Sequence, residues 1–293
     1  MQFFLAAAES GNSLVRSWRG SLAGMTLCTA LSAAAQSPTL PAPADLSTRA
    51  GAVSLKEPSR TEKVRPFTPA AAARLLVQAT YGPTMAEIDR TTRLGASAWI
   101  AGQFATPPMD THWDYVVVRK GPIGCTVCNS QYINATMESF WTQAVRGPDQ
   151  LRQRTVLALS ELFVVSTVNS AVEIQADAHA SYLDMLSRNA FGNFRTLLSD
   201  VSMHPTMAHY LSHFRNEKED PVTGRIPDEN YAREVMQLFT IGLWQLNEDG
   251  SRKLDSNGQA IPTFTQADVM GLARVFTGWG WSGAGTGEDY WRG

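Results

Sequence analysis

The segment from 228 to 234 contains the side chains of this 293-residue sequence that could most readily carry out a reaction. If it is helical, Asn230 and Glu234 stand one turn apart on one face, where the carboxylate of Glu234 could act as a general acid or base. Arg233 could bind an anionic group or hold a substrate carboxylate in the same pocket. Glu229 also precedes Arg233 by one turn, so a plain surface ion pair is the structural alternative. These residues leave the catalytic and the structural interpretation open.

A second candidate is a pair of histidines with the spacing of metal ligands. On a continuous helix, His209 and His213 lie one turn apart and could bind one metal ion, with Glu229 or Glu234 completing its shell. The sequence lacks the glutamate after the first histidine that defines the common zinc-protease motif, so ordinary core or surface histidines are the alternative. No phosphate-binding loop or nucleophile elbow is present, and the sequence assigns no cofactor.

Cys125 and Cys128 form a Cys-x-x-Cys pair in a glycine-containing stretch. The third cysteine, Cys28, falls in the predicted leader described below, so this pair supplies the two thiols of the predicted mature chain. Two sulfurs cannot close a zinc site, and a redox motif would need a helix start in an α/β context. We expect a short-loop disulfide after export, with reduced cysteines as the alternative.

The amino-terminal sequence and the charge balance indicate where the protein works. Residues 1–35 have the three parts of an export signal, with Arg16 and Arg19 before an apolar stretch and a small-residue cleavage site before Gln36. The apolar stretch is too short to span a bilayer. The 25 basic and 27 acidic residues give a net charge of -2, which excludes strong attraction to nucleic acid. We predict a periplasmic or extracellular protein without an integral membrane span.

Composition divides the rest of the chain into three parts. Residues 36–65 are rich in proline, alanine and serine and are predicted to be a disordered linker. Residues 66–281 are predicted to form one helical domain, and residues 282–293 a flexible glycine-rich end. The fold class is therefore mainly α, as a single multi-helix domain.

Capping residues and apolar periodicity predict the elements that position these side chains. Within the predicted helix 149–165, residues 156–165 are apolar on nearly every side, so this helix is expected to be the buried central one. Turn signals at 247–250 and 255–258 predict a small β-hairpin excursion near 245–263. We predict helices starting at Thr68, Thr84, Ser97, Asn193, Pro227 and Thr265, and longer helices over residues 131–145, 149–165 and 172–190.

Four segments together resemble one family, the bacterial domain of unknown function 1800 (DUF1800). Their order along the chain is specific, although each segment alone is a weak signal. They are residues 75–84 (LLVQATYGPT), 189–194 (NAFGNF), 227–242 (PDENYAREVMQLFTIG) and 268–279 (DVMGLARVFTGW).

The resemblance implies an exported, predominantly helical protein without an established reaction. Members of this family usually continue well past the position of Trp279, so the chain is expected to be an amino-terminal fragment of a member. A neighbouring gene often encodes an exported sulfatase-like protein, which implies a partnership by association. We expect an interaction or assembly component of the bacterial envelope or extracellular space. The alternative is a hydrolase-like enzyme acting on an envelope polymer or polysaccharide through Glu234 and its neighbours, with or without a metal.

Overall fold

A computed structural model of the protein describes residues 67–120, 134–166 and 176–280. Within these ranges the chain forms eleven α-helices and one π-helical turn and has no strand, so the predicted mainly α fold is confirmed. The predicted export signal, linker, Cys125–Cys128 pair and glycine-rich end lie outside the described residues. The α-helices are α1 Pro69–Ala79, α2 Met85–Leu94, α3 Ala96–Ala105, α4 His112–Lys120, α5 Ala135–Arg146, α6 Gln150–Leu162, α7 Ala176–Asn189, α8 Phe194–Met203, α9 Pro205–Tyr210, α10 Asn230–Glu234 and α11 Gln266–Val275.

Helix starts follow the caps that the sequence displays. The Thr68 hydroxyl accepts a hydrogen bond from the backbone N–H of Ala71, the third residue of its helix. The Thr84 hydroxyl accepts one from the backbone N–H of Glu87. Thr265 and Asp268 form a reciprocal capping box at the start of α11. Each of these bonds satisfies a backbone N–H that has no partner inside the helix. The predicted starts at Thr68, Thr84 and Thr265 are therefore confirmed.

The buried central helix is α7, and the prediction that the 149–165 stretch would fill this role is wrong. Every residue from Ala176 to Ser187 is buried, whereas α6 buries only Gln153 and Val156. Small residues along α7 allow several helices to approach its backbone closely, and polar groups on α7 find partners there. The carboxyl-terminal half of α6 is at the surface, where Ala158, Glu161 and Leu162 are exposed.

The core surrounds α7 and joins residues that are distant in sequence. Phe163, Met185, Leu186, Tyr231 and Phe239 are among its largest buried members. The ring of Phe239 lies 5.1 Å from that of Phe163, so the π-helical turn packs directly onto the end of α6. No helix in the described part of the chain is long and apolar enough to cross a membrane.

The β-hairpin predicted near 245–263 does not form. The described residues have only isolated antiparallel bridges there, with two tight turns between them. Gln245 donates its backbone N–H to the Ile261 carbonyl, Ile261 donates to Lys253, and Lys253 donates to Gln245, at 2.8 to 3.0 Å. Because each segment bonds to both others in a closed triangle, no two segments can extend a ladder. We call residues 243–263 the arm.

Candidate functional site

Glu234 is the last residue of α10, and the helix changes its winding at the next residue. Residues Val235–Phe239 form a π-helical turn, which closes where the backbone N–H of Gly242 donates to the Met236 carbonyl at 2.9 Å. The helix predicted to start at Pro227 begins instead at Asn230 and gives way to π-helical winding after Glu234. Single π-helical turns inside helices are frequent at functional sites.

The Glu234 side chain is partly exposed and makes no hydrogen bond or ion pair with the described residues. Asn230 lies one turn earlier and makes a long hydrogen bond of 3.4 Å to the Ser212 hydroxyl. The structure therefore keeps both side chains at the surface of α10.

Arg233 is engaged in a polar cluster between two helices. Its guanidinium lies 2.8 Å from the carboxylate of Glu229 and donates to Gln266 at 3.0 Å. The amide of Gln266 donates in turn to both carboxylate oxygens of Glu229. The surface pair expected from the sequence is present, and Gln266 extends it into a bridge from α10 to α11. This arrangement gives Arg233 a structural role.

His209 and His213 do not share a helical face. Helix α9 ends at Tyr210, and Ser212 takes a left-handed backbone conformation with φ 59°, which turns the chain away from the helix axis. His209 stacks on Phe214 at 4.2 Å between ring centres. The described residues contain no group of three histidine, cysteine, aspartate or glutamate side chains that could hold a metal ion.

His213 is instead built into the core beneath α10. Its ring is nearly parallel to that of Tyr231 at 3.9 Å, and its Nε2 donates to the Ser202 carbonyl at 2.9 Å. Burial lowers its pKa to about 4, so the ring is neutral near pH 7. The nitrogen that bonds to Ser202 is not available to a metal, and the ring packs as an aromatic side chain.

The loop after His213 is held by Asn216, which is almost fully buried. Its amide Nδ2 donates to the Asp228 carbonyl at 3.0 Å, and its Oδ1 accepts from the Asp228 N–H at 2.8 Å. Its backbone carbonyl accepts from Gly278 at 2.9 Å. Through its side chain and its backbone carbonyl, Asn216 thus connects the loop to Asp228 and to the chain after α11.

Two open grooves lie on either side of this loop, with volumes of about 530 and 610 Å³. The first reaches toward Glu229 at the start of α10, and the second reaches toward Trp279. Both are lined by the side chains of residues Arg215, Asn216, Glu217 and Arg225. Arg215 has a left-handed backbone with φ 57°, a conformation that side-chain-bearing residues rarely adopt and that is enriched at functional sites.

A separate buried polar network joins α4, α5 and α6. His112 Nδ1 lies 2.8 Å from the Ser139 hydroxyl and 3.1 Å from the Gln143 amide. Gln143 accepts from Gln153 at 3.3 Å, and Gln153 donates to Asp149 at 3.0 Å. His112 Nε2, Gln153 Oε1 and one oxygen of Asp149 are buried without a hydrogen-bond partner in the described part of the chain.

Sequence reasoning missed this network because it did not predict α4. A capping signal was present, since Thr111 and Asp114 bond to each other at the start of that helix. Burial lowers the pKa of His112 to about 4 and raises the pKa of Asp149. In both residues, burial therefore favours the uncharged form of the side chain. The network contains none of the predicted site residues, and it lies apart from the two grooves.

The fold and these sites define a helical protein with a polar loop and two surface grooves beside its last helices. The family model described as "Protein of unknown function (DUF1800)" matches residues 74–292, and the chain belongs to this family. The resemblance drawn from the four sequence segments is therefore confirmed. No curated protein and no solved structure has a significant match to the chain.

Proposed function

We propose that the protein is an exported interaction or assembly component that binds another protein through its arm. The observation that carries this proposal is a set of exposed leucines on a segment that has no core of its own. Leu246 and Leu254 are 54% and 58% exposed, and Leu243 is 44% exposed. Single exposed leucines are ordinary, but three on one short arm favour a contact surface.

The geometry of the arm supports this use. Its triangle of backbone bonds among Gln245, Lys253 and Ile261 holds its shape without burying its own leucines. Two turns are further held by side chains, because Asp249 accepts from Ser251 and Asp255 accepts from Asn257 and Gln259. An arm ordered in advance loses little conformational entropy when it binds.

The apolar surface continues from the arm toward the core. Leu238 and Ile241 are 56% and 54% exposed, and they lie directly before the arm in sequence. The π-helical turn that carries Leu238 is anchored by buried Phe239. A partner that contacts Leu238 would therefore also contact a rigid part of the fold.

The partner we propose is the exported sulfatase-like protein that the family resemblance associates with such chains. The experiment places a photo-crosslinking amino acid at Leu246 or Leu254 in cells that produce both proteins. The matched control is the same substitution at Val77 on α1, which is 61% exposed. We expect a crosslink to the sulfatase-like protein from the arm positions and none from Val77.

Equal crosslinking from all three positions, or none from the arm, would contradict the proposal. A second measurement uses the Leu246→Ser/Leu254→Ser variant in co-purification from the periplasm. Because both side chains are more than half exposed, we expect its melting temperature to be unchanged and its yield of the partner to fall.

A hydrolytic role for Glu234 is the second candidate function, and one observation favours it. Glu234 has no partner among the described side chains, and it lies where the helix changes to π-helical winding. On this hypothesis Glu234 is the acid or base and Asn230 orients the substrate, which would be an envelope polymer. Arg233 would act through its contact with Glu229 rather than on the substrate.

The test of this second function is Glu234→Gln, which keeps the size of the side chain and removes its charge. A catalytic Glu234 predicts a folded variant that has lost polymer hydrolysis, with Asp89→Asn at an exposed position of α2 as the control. Hydrolysis that survives Glu234→Gln at the wild-type rate excludes the role. His209→Ala in the same assay, with metal analysis, tests whether a metal contributes.

A further inference from the structure

The groove that reaches Trp279 has a rigid base made of backbone hydrogen bonds. The N–H of Arg215 donates to the Trp279 carbonyl at 2.9 Å, and the N–H of Gly278 donates to the Asn216 carbonyl at 2.9 Å. Asn216 is in turn fixed to Asp228 through both ends of its amide. The positions of Arg215 and Trp279 are therefore set relative to each other before any ligand arrives.

The charges around this groove do not balance. Glu217 forms an ion pair with Arg225, and Glu219 forms one with Arg274 at 2.8 Å. These two pairs account for both carboxylates on the 215–219 segment. Arg215 and Lys218 remain, and neither cation has an acidic partner in the described part of the chain.

Trp279 lines the same groove as Arg215 and Lys218 and adds an aromatic side chain to it. Trp279 is 38% exposed, and its indole N–H donates to the Val275 carbonyl at 3.2 Å, which fixes the orientation of the ring. Flat aromatic faces stack on the C–H faces of sugar rings, and Arg binds carboxylate or sulfate oxygens with two parallel hydrogen bonds.

We propose that this groove binds an anionic saccharide, a sugar chain whose rings carry carboxylate or sulfate groups. Trp279 stacks on a sugar ring, and Arg215 and Lys218 bind the negative groups of that ring and its neighbour. The guanidinium of Arg215 lies over the Phe214 ring, with its central carbon 5.1 Å from the ring centre, and Arg215 lines both grooves. An acidic peptide would satisfy the cations but would leave the aromatic surface unused.

The test measures retention of the full-length chain in native gels that contain one polymer each. Polygalacturonate supplies carboxylates, dextran sulfate supplies sulfates, dextran is the neutral control and polyglutamate is the peptide control. We expect retention by at least one anionic saccharide, weak retention by polyglutamate and none by dextran. Retention by polygalacturonate alone identifies carboxylate as the ligand group, and retention by dextran sulfate alone identifies sulfate.

Matched variants connect retention to the groove. Arg215→Ala/Lys218→Ala should weaken binding at least ~tenfold, whereas Arg93→Ala/Arg195→Ala removes the same charge from exposed positions elsewhere and should not. Trp279→Ala should also weaken binding, and Trp141→Ala, at an equally exposed tryptophan, should not.

Three results would overturn the proposal. One is the absence of retention by both anionic saccharides. Another is equal loss of binding in the groove variants and their controls. The third is retention by polyglutamate as strong as by the saccharides, together with full binding by Trp279→Ala, which would mean that the groove recognises charge alone. If the double variant does not fold, Lys218→Glu at an exposed position replaces it, and this single variant should also weaken retention by the anionic saccharide.

Discussion

Asp184 in the middle of α7 caps the first turn of α4 through His112, which lies 72 residues earlier in the chain. One carboxylate oxygen accepts from the His112 backbone N–H at 2.8 Å, and the other accepts from Trp113 at 2.9 Å. A capping carboxylate normally comes from the helix's own first residues. Here the central helix supplies it, so the start of α4 depends on tertiary packing.

We predict that Asp184→Ala destabilises the protein by about 2 kcal/mol or more, because two buried N–H groups lose their acceptor. Asp184→Asn keeps one acceptor oxygen and should cost about half as much. Urea unfolding at pH 7 measures both values. Equal stability of the wild type and Asp184→Ala would mean that the cap contributes nothing to folding.

Gly147, directly after α5, is predicted to tolerate no side chain. A Cβ there would lie 2.5 Å from the Gln143 carbonyl oxygen and 2.8 Å from the Asp149 carboxylate, and the backbone oxygen cannot move aside cheaply. Gly147→Ala should therefore cost about 1 to 3 kcal/mol. Gly102→Ala is the matched control, since its Cβ meets nothing within 4 Å inside α3, and it should add about 0.5 to 1 kcal/mol. Thermal unfolding of both variants checks the sign, and a stabilising Gly147→Ala would be incompatible with this packing.

Stability is predicted to fall on acidification. Burial lowers the pKa of His112 and His213 to about 4 and that of His204 to about 3, from an ordinary value of 6.5. Below pH 6.5 these histidines are protonated in the unfolded chain but stay neutral in the folded protein. The stability that the neutral histidines contribute is therefore lost as the pH falls toward 4.

Asp184 acts in the opposite direction. Burial raises its pKa to about 6, so its contribution to stability is greatest below pH 3.8 and is lost as the pH rises through 6. Between pH 4 and 6 these three histidines and Asp184 leave a net difference of two protons between the unfolded and folded states. His209, whose pKa burial also lowers, and Asp149, whose pKa burial raises, act in opposite directions. The free energy of unfolding should therefore drop by ~3 kcal/mol per pH unit in that window. Urea unfolding from pH 4.5 to 7.5 measures this slope, and a flat profile would show that these groups are not buried in solution.

Export is predicted to remove residues 1–35, leaving Gln36 as the first residue of the mature protein. The measurement is amino-terminal sequencing of the protein from the periplasm or the medium. Replacing Ala33 and Ala35 by leucine should block cleavage, because the signal peptidase site requires small residues at these positions. An uncleaved protein in the cytosol would contradict the predicted compartment, independently of the arm and the groove.

The sequence by itself determined the local features of this fold. Caps at Thr68, Thr84 and Thr265 act within four residues, so their types and spacing were enough to predict three helix starts. The surface pair of Glu229 and Arg233 follows from one helical turn in the same way. Family membership was also visible, because it depends on the order of segments and not on their packing.

The tertiary structure decided which helix is buried at the centre, whether the two histidines meet, and how the arm folds. Burial of α7 depends on the small residues that let other helices approach it, which apolarity along 149–165 did not reveal. The turn at Ser212 separates His209 from His213, although their spacing suits one helical face. The arm closes as a triangle of three segments where two turn signals predicted a hairpin. These outcomes depend on backbone turns and on contacts longer than one helical turn, and neither helical spacing nor single turn signals predict them.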